Sequence, residues 1–313
     1  MDWLFALGII APLVIFMALG YLFRILKLVD QPFVKGLNTF SYKVTIPLVV
    51  FYNLYRSDLG TFNINVLWFS LSVIPLVLLL FILVVHFSFK DKAKKGSIIQ
   101  GFVRMNQTLF AIPLLENMYG VAASGVGAIL SAVTIPITNV ITVIILTYYQ
   151  DEGKINLKKM GLGLITNPFI VATIIGLIFI FTGIRFPAII DDTITTIAKF
   201  ATPLALIALG ADIRFKKSEF EGNIAGVLVA TGFRLIVVPA VILGAAVLLG
   251  FRGMDLGGLL CVVCAPTAVS SYQMAIQLKA DTRLARLVVI STTLLSAVTI
   301  FFFITFFHNF NLI

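Results

Sequence analysis

Ten apolar stretches follow one another along the chain with only short polar loops between them. They run over 3–25, 36–56, 64–87, 97–119, 122–149, 160–183, 188–211, 222–249, 255–277 and 285–307. Stretches of about 20 apolar residues match the thickness of a bilayer's hydrocarbon core. Within that core every backbone N–H and C=O needs an internal partner, so helix is the state these segments must adopt. Composition closes off the alternative of a soluble fold. Of 313 residues 60% are hydrophobic and 12% charged, more apolar surface than a soluble domain of this size hides. The expectation is an all-α integral membrane protein. The first stretch, flanked by Asp2, Arg24 and Lys27, is long enough to remain as a span and does not read as a cleavable signal.

Two of these stretches look like one helix used twice. Segment 11–20 (APLVIFMALG) aligns with 167–176 (NPFIVATIIG) at an offset of 156, placing Pro12 over Pro168 and Gly20 over Gly176. The following helix keeps the offset: KVTIPLVV at 43–50 lies over KFATPLAL at 199–206, with Lys43 over Lys199 and Pro47 over Pro203. The chain therefore divides into a five-helix repeat at 1–150, a cytoplasmic linker at 151–159 and a second five-helix repeat at 160–313. Duplicated membrane halves are a mark of secondary transporters.

Basic residues give the orientation. Alternate loops carry Arg24, Lys27, Lys35; Lys90, Lys92, Lys94, Lys95; Lys154, Lys158, Lys159; Arg214, Lys216, Lys217; and Lys279, Arg283, Arg286. The opposite loops hold Arg56, Arg185 and Arg252. The positive-inside rule puts the first set in the cytoplasm and both termini outside the cell (plasma or inner) membrane. A net charge of +9 would suggest nucleic acid in a soluble protein; here it reads as topology, and no nucleic-acid partner is expected. Five helices per half is an odd number, so the second repeat is inverted relative to the first.

Four basic residues remain, Lys43, Arg104, Lys199 and Arg234, all within spans. A cation at bilayer depth costs at least ~2.5–3.5 kcal/mol and needs a partner or a purpose. Glu116, close to the outer end of the fourth span, and Asp212, at the inner end of the seventh, are too few to neutralise them. An anionic substrate follows. The competing reading is that Lys43 and Lys199 snorkel or meet carbonyls beside the prolines, and that Arg234 reaches the outer interface.

The fourth and ninth spans carry the polar content. Segment 104–113 (RMNQTLFAIP) sets Arg104, Asn106, Gln107 and Thr108 in an otherwise apolar span. Segment 264–274 (CAPTAVSSYQM) sets Pro266, Thr267, Ser270, Ser271, Tyr272 and Gln273 in the other. Position within the repeats puts Met105 over Pro266 and Asn106 over Thr267. A break in each helix would aim half-helix N-termini, with free N–H groups, at the midplane, where they attract anions. The plainer alternative is a proline kink with hydroxyls bonded to their own backbone.

NQTLFAIPLLENMYG at 106–120, CAPTAVSSYQMA at 264–275 and NPFIVATIIG at 167–176 resemble the auxin efflux carrier family, which includes bacterial malate and malonate permeases and the plant PIN-FORMED auxin exporters. The resemblance covers essentially the whole chain. It implies ten helices as two inverted five-helix repeats, with broken helices four and nine crossing at the substrate site. It also implies a scaffold of helices 1, 2, 6 and 7 that usually mediates a homodimer, and a moving transport domain of helices 3–5 and 8–10. Where the plant members have a proline before the key asparagine of the fourth helix, this chain has Met105, so the crossing is expected to be asymmetric. Arg104 beside it suits a small carboxylate better than auxin.

The resulting expectation is alternating-access transport of a small organic anion, a mono- or dicarboxylate such as malate. Arg104, Asn106 and Thr267 lead the substrate-binding set, Gln107, Pro266, Ser270, Ser271 and Tyr272 support it, and Lys43 and Lys199 line the scaffold wall. No resident cofactor or metal is expected. A coupling proton at Glu116, His86 or a desolvated lysine, a sodium ion near 267–273, uniport and exchange all stay open. Cys261 and Cys264 form a C-x-x-C without a second pair or histidine, so they read as core, and no enzymatic motif is present. A non-transporting sensor or receptor for a lipid or anion on the same scaffold is the rival reading. Against it stand the short termini, which leave no soluble output domain. A channel fits poorly, because the polar residues cluster near one depth.

Overall fold

A computed structural model describes residues 3–56, 63–120, 124–150, 165–213 and 221–313, together with 158, 161 and 162. The linker at 151–159 lies outside the described residues except for Lys158. Within the described residues the chain is helical, and the lone extended pairing joins Met105 to Thr267. Helix α1 is Trp3–Ile25, α2 (Gln31–Phe40) passes through a wide turn at Ser41–Thr45 into α3 (Ile46–Arg56), and α4 is Ile64–Ser88. α5 (Lys92–Val103) and α6 (Ile112–Tyr119) are separated by extended backbone and a wide turn at Gln107–Ala111; α7 is Ser124–Gln150. Further along are α8 (Pro168–Thr182), α9 (Ala188–Ala211) and α10 (Ile224–Gly232), which runs through a wide turn at Phe233–Val237 into α11 (Val238–Leu248). α12 (Gly253–Cys264) and α13 (Ser270–Gln277) are again two halves of an interrupted helix, and α14 is Thr282–Asn309.

Local chemistry sets the helix starts. Asp30 accepts from the Phe33 N–H at 2.8 Å, and Pro32 occupies the first turn, so α2 begins earlier than the apolar pattern alone indicates. Asn167, followed by Pro168, caps α8 through the Phe169 N–H at 2.9 Å, and Asp281 caps α14 through the Leu284 N–H at 2.9 Å. Among the described residues five stretches are long and apolar enough to cross a membrane: Ile64–Ser88, Val133–Gln150, Ala188–Ala211, Ile224–Leu248 and Thr282–Asn309. Val14–Ile25, Pro168–Thr182 and Gly253–Cys264 are apolar but shorter. Large apolar side chains such as Phe87, Ile189 and Leu248 face outward, as lipid contact requires. In the aromatic run at 301–307, Phe302 and Phe306 face outward while Phe307 turns into the core.

Close backbone approach fixes two helix pairs. α1 packs on α9 with Gly20 against the backbone of Ile207 and Gly210 against that of Met17; a Cβ at Gly20 would lie 2.0 Å from the Ile207 carbonyl oxygen. α8 packs on α3 with Gly176 against Leu54. Gly20 and Gly176 are the glycines aligned by the offset of 156, and each faces the helix that the same offset aligns with the other's partner. One apolar cluster, including Tyr42, Phe51, Leu54, Tyr55 and Phe169, gathers around α3 and α8. A larger one runs through α4, α5 and α10 to α14. Between these two bodies lies the polar centre.

Candidate functional site at the crossing of two broken helices

α5 stops at Val103 because Arg104 takes extended backbone angles (φ −88°, ψ 114°). α12 stops at Cys264, where Ala265 turns extended ahead of Pro266 (φ −56°, ψ 140°), as a residue before proline prefers. The two extended segments meet antiparallel. The Asn106 N–H donates to the Pro266 carbonyl at 2.8 Å, and the Ala268 N–H donates to the Arg104 carbonyl at 3.0 Å. The helices therefore break at the expected places. The register differs by one residue from the alignment by repeat position: the pairing relates Met105 to Thr267 and Asn106 to Ala268. Apolar periodicity carries no register across loops of different length, which is why the sequence alignment slips.

A cavity of about 80 Å³ opens beside this pairing. One wall is Ile46, Val49 and Val50 of α3 with Ala201, Thr202 and Ala205 of α9. The other is Arg104 to Gln107, Ala268 to Ser270, and Ile135, Thr138 and Asn139 of α7. Such a volume holds a few waters or a small anion. Ile46 and Thr202, like Val49 and Ala205, stand 156 residues apart, and all four line the cavity.

Arg104 is buried, and its terminal nitrogens are held by neutral groups. Its Nη1 donates to Asn139 Oδ1 at 2.8 Å and to Met274 Sδ at 2.6 Å, its Nη2 donates to Ser270 Oγ at 2.6 Å, and its guanidinium lies 5.2 Å from the centre of the Phe169 ring. No carboxylate of a described residue lies within ion-pair distance of it. Three buried nitrogens among the lining residues have no protein partner: Arg104 Nε, Asn106 Nδ2 and Asn139 Nδ2. All three are donors. Gln107 accepts from Thr134 Oγ1 at 2.9 Å, and its own amide N–H reaches only Met105 Sδ at 3.7 Å. The wall thus offers N–H groups and a positive charge with no competing anion among the described residues, an arrangement suited to a carboxylate.

Arg104, Asn106, Gln107 and Ser270 come together at the cavity as expected, and the other candidates do not. Pro266 and Thr267 build the crossing: the Thr267 hydroxyl donates to the Gly101 carbonyl at 2.5 Å. Ser271 is buried without a side-chain partner. Tyr272 points away, its hydroxyl donating to Asp212, which also accepts from Arg286 at 2.9 Å. Lys43 and Lys199 are exposed on the outer faces of their helices and do not line the cavity, which matches snorkelling. The reading of Arg234 as reaching the outer interface is overturned, because Arg234 is fully buried beside the crossing. The side chains of Thr108 and Glu116 lie outside the described residues. His86, another coupling candidate, meets the Tyr149 hydroxyl at 2.8 Å away from the cavity.

Asn139, Thr138 and Phe169 were missed. The sequence carried a signal for the first two: Thr134, Thr138 and Thr142 recur every fourth residue in an apolar span, with Asn139 beside them, a polar stripe on one helical face. Phe169 is silent in sequence, since an aromatic residue after a proline cap reads as core.

Residues 5–304 match the family described as membrane transport protein. An uncharacterized transporter of Methanothermobacter thermautotrophicus is 23% identical over 302 residues, spanning 93% of this chain and 95% of that protein. Uncharacterized transporter YfdV of Escherichia coli K12 is 23% identical over 251 residues, 76% of this chain and 77% of its own. The YfdV protein of Shigella flexneri matches to the same extent.

Proposed function

The chain belongs to the membrane transport protein family, the auxin efflux carrier family that its motifs resemble, and on that premise we propose that it is a secondary carrier for a small organic anion of the size of malate. The observation that carries this reading is the cavity wall. The described lining carries the Arg104 guanidinium and the Asn106 and Asn139 amides, each with a buried N–H that has no protein partner, around a space of about 80 Å³, and no described lining residue is a carboxylate. An anion suits that lining and a cation does not. A plant-type indole acid would need an aromatic slot, and no aromatic residue is among the described residues that line the cavity.

The mechanism proposed is alternating access by ten helices in two inverted repeats. The paired lining of Ile46 with Thr202 and Val49 with Ala205 supports the repeat. The two walls support a division into a scaffold carrying α3 and α9 and a moving part carrying the crossing and α7. In the described form α13 and α14 are fastened to the end of α9 through Asp212, which takes the Tyr272 hydroxyl and Arg286. The basic loops place this contact on the cytoplasmic side, so it closes the inner route, and its release opens the cavity inward. Dimerisation through the scaffold helices belongs to the same proposal.

The test is binding to the purified full-length protein in nanodiscs, read as thermal stabilisation by malate, succinate, malonate and indole-3-acetate. The dicarboxylates are expected to stabilise the wild type and not Arg104→Met. Stabilisation by none of the carboxylates, or equal stabilisation of both proteins, would sink the reading.

A further inference from the structure

We propose that Arg234 is a built-in cation, seated where the C-terminal ends of the two broken helices converge, so that this crossing is held together without a bound sodium ion. Rupture of a helix leaves its last carbonyls without intrahelical donors and concentrates roughly half a negative charge there. In carriers built on broken helices such ends are where coupling cations are coordinated. Here α5 ends at Val103 and α12 at Cys264, and one guanidinium serves both. Arg234 Nη1 donates to the Phe102 carbonyl at 2.8 Å, and Nη2 donates to the Val263 carbonyl.

Two further carbonyls at the end of α5 also have donors. In α5 the Gln100 carbonyl takes the Arg104 N–H at 3.1 Å, and the Gly101 carbonyl takes the Thr267 hydroxyl. Two helix ends of about half a charge each are matched by one guanidinium. No described carboxylate pairs with Arg234, and its side chain is fully buried, so this placement is its compensation. The wide turn at Phe233–Val237, an insertion of the kind found at functional sites, carries the residue. The two buried arginines therefore differ in role. The terminal nitrogens of Arg234 serve the helix ends, while Arg104 lines the cavity; each also has a buried Nε–H without a partner.

This assignment rests on the carrier reading only for its consequence for coupling; its test needs no substrate. The purified full-length protein is unfolded thermally in sodium chloride and in N-methyl-D-glucamine chloride at equal ionic strength. The wild type is expected to melt at the same temperature in both, within about 1 °C. Arg234→Gln is expected to melt lower by about 5 °C or more, and to recover at least half of that loss in about 20 mM guanidinium, far below denaturing levels. Arg234→Lys, which keeps a charge, is expected to fold and stay indifferent to sodium. Sodium stabilisation of the wild type would overturn the proposal, as would an Arg234→Gln protein that is unaffected or is not rescued by guanidinium. If the Gln variant does not accumulate, the wild-type and Lys comparisons decide: sodium stabilisation of either overturns it, and indifference of both upholds it. Absence of carboxylate binding alongside intact guanidinium rescue would reject the substrate reading and leave Arg234 in place.

Discussion

The Asn106 N–H donates to the Pro266 carbonyl at 2.8 Å, and that bond has a twin from Ala268 to Arg104 at 3.0 Å. An antiparallel pairing of this kind has a local two-fold axis, here relating Arg104 to Pro266, Met105 to Thr267 and Asn106 to Ala268. The chemistry is not two-fold. The fourth span lines the cavity with a guanidinium and two amides, and the ninth places Ala268 and Val269 at the positions of Asn106 and Gln107, followed by the Ser270 hydroxyl.

Removing the acceptor that orients Arg104 is expected to weaken anion binding without unfolding the protein. Asn139→Leu deletes a hydrogen bond to a charged group, worth about 1.5–3 kcal/mol, so affinity is expected to fall roughly 10- to 100-fold. Calorimetric titration with the best-bound carboxylate measures it. Unchanged affinity would remove α7 from the site.

Filling the apolar side of the crossing gives a complementary test. Ala268→Leu leaves every donor in place and occupies part of a cavity of about 80 Å³. Binding of dicarboxylates is expected to be lost before that of smaller monocarboxylates, as competition assays would show.

Lys43 and Lys199 stand on the outer faces of their helices, so Lys43→Gln and Lys199→Gln are expected to leave carboxylate affinity within about twofold, the change typical of a screened, distant surface charge. A tenfold loss in either variant would bring the scaffold lysines back into the site.

Much of this was legible in the residues. Helical spans followed from apolar runs and the demands of lipid, and the breaks followed from polar residues and Pro266 at mid-span. Gly20 and Gly176, aligned by the offset of 156, both prove to be close-approach positions, which the alignment itself did not state. Three matters were not legible. Register at the crossing is set by two long-range hydrogen bonds that no local pattern encodes. Lys43 and Lys199 lie one turn from the cavity-lining Ile46 and Thr202 but are exposed and outside the lining, which depends on where each helix meets its neighbours. Arg234 looked interfacial because its partners, the carbonyls of Phe102 and Val263, are backbone atoms with no sequence signature.

The α1–α9 contact tolerates no side chain at Gly210, where a Cβ would lie 1.9 Å from the Met17 carbonyl oxygen. Gly210→Ala is expected to destabilise by about 1–3 kcal/mol through forced separation of the helices. Thermal unfolding in detergent reads this directly, and an unchanged midpoint would contradict the packing.

Asp212 joins α9 to both Tyr272 and Arg286. Asp212→Asn weakens a charge-assisted contact by about 1.5 kcal/mol or more, which shifts the closed form roughly tenfold toward the open one. Labelling of a Thr202→Cys variant by an impermeant maleimide from the cytoplasmic side should quicken accordingly; the native Cys261 and Cys264 are buried and add little background. Equal labelling rates would show that this contact does not close the inner route.

The central claim is that the crossing moves a small carboxylate through the cavity that Arg104 faces. Counterflow of labelled malate into proteoliposomes preloaded with unlabelled malate tests it most directly, because counterflow needs no knowledge of the coupling ion. The account predicts transient accumulation that succinate and malonate compete away, and its loss in Arg104→Met. Absence of accumulation in the wild type, or accumulation that survives Arg104→Met, would contradict it.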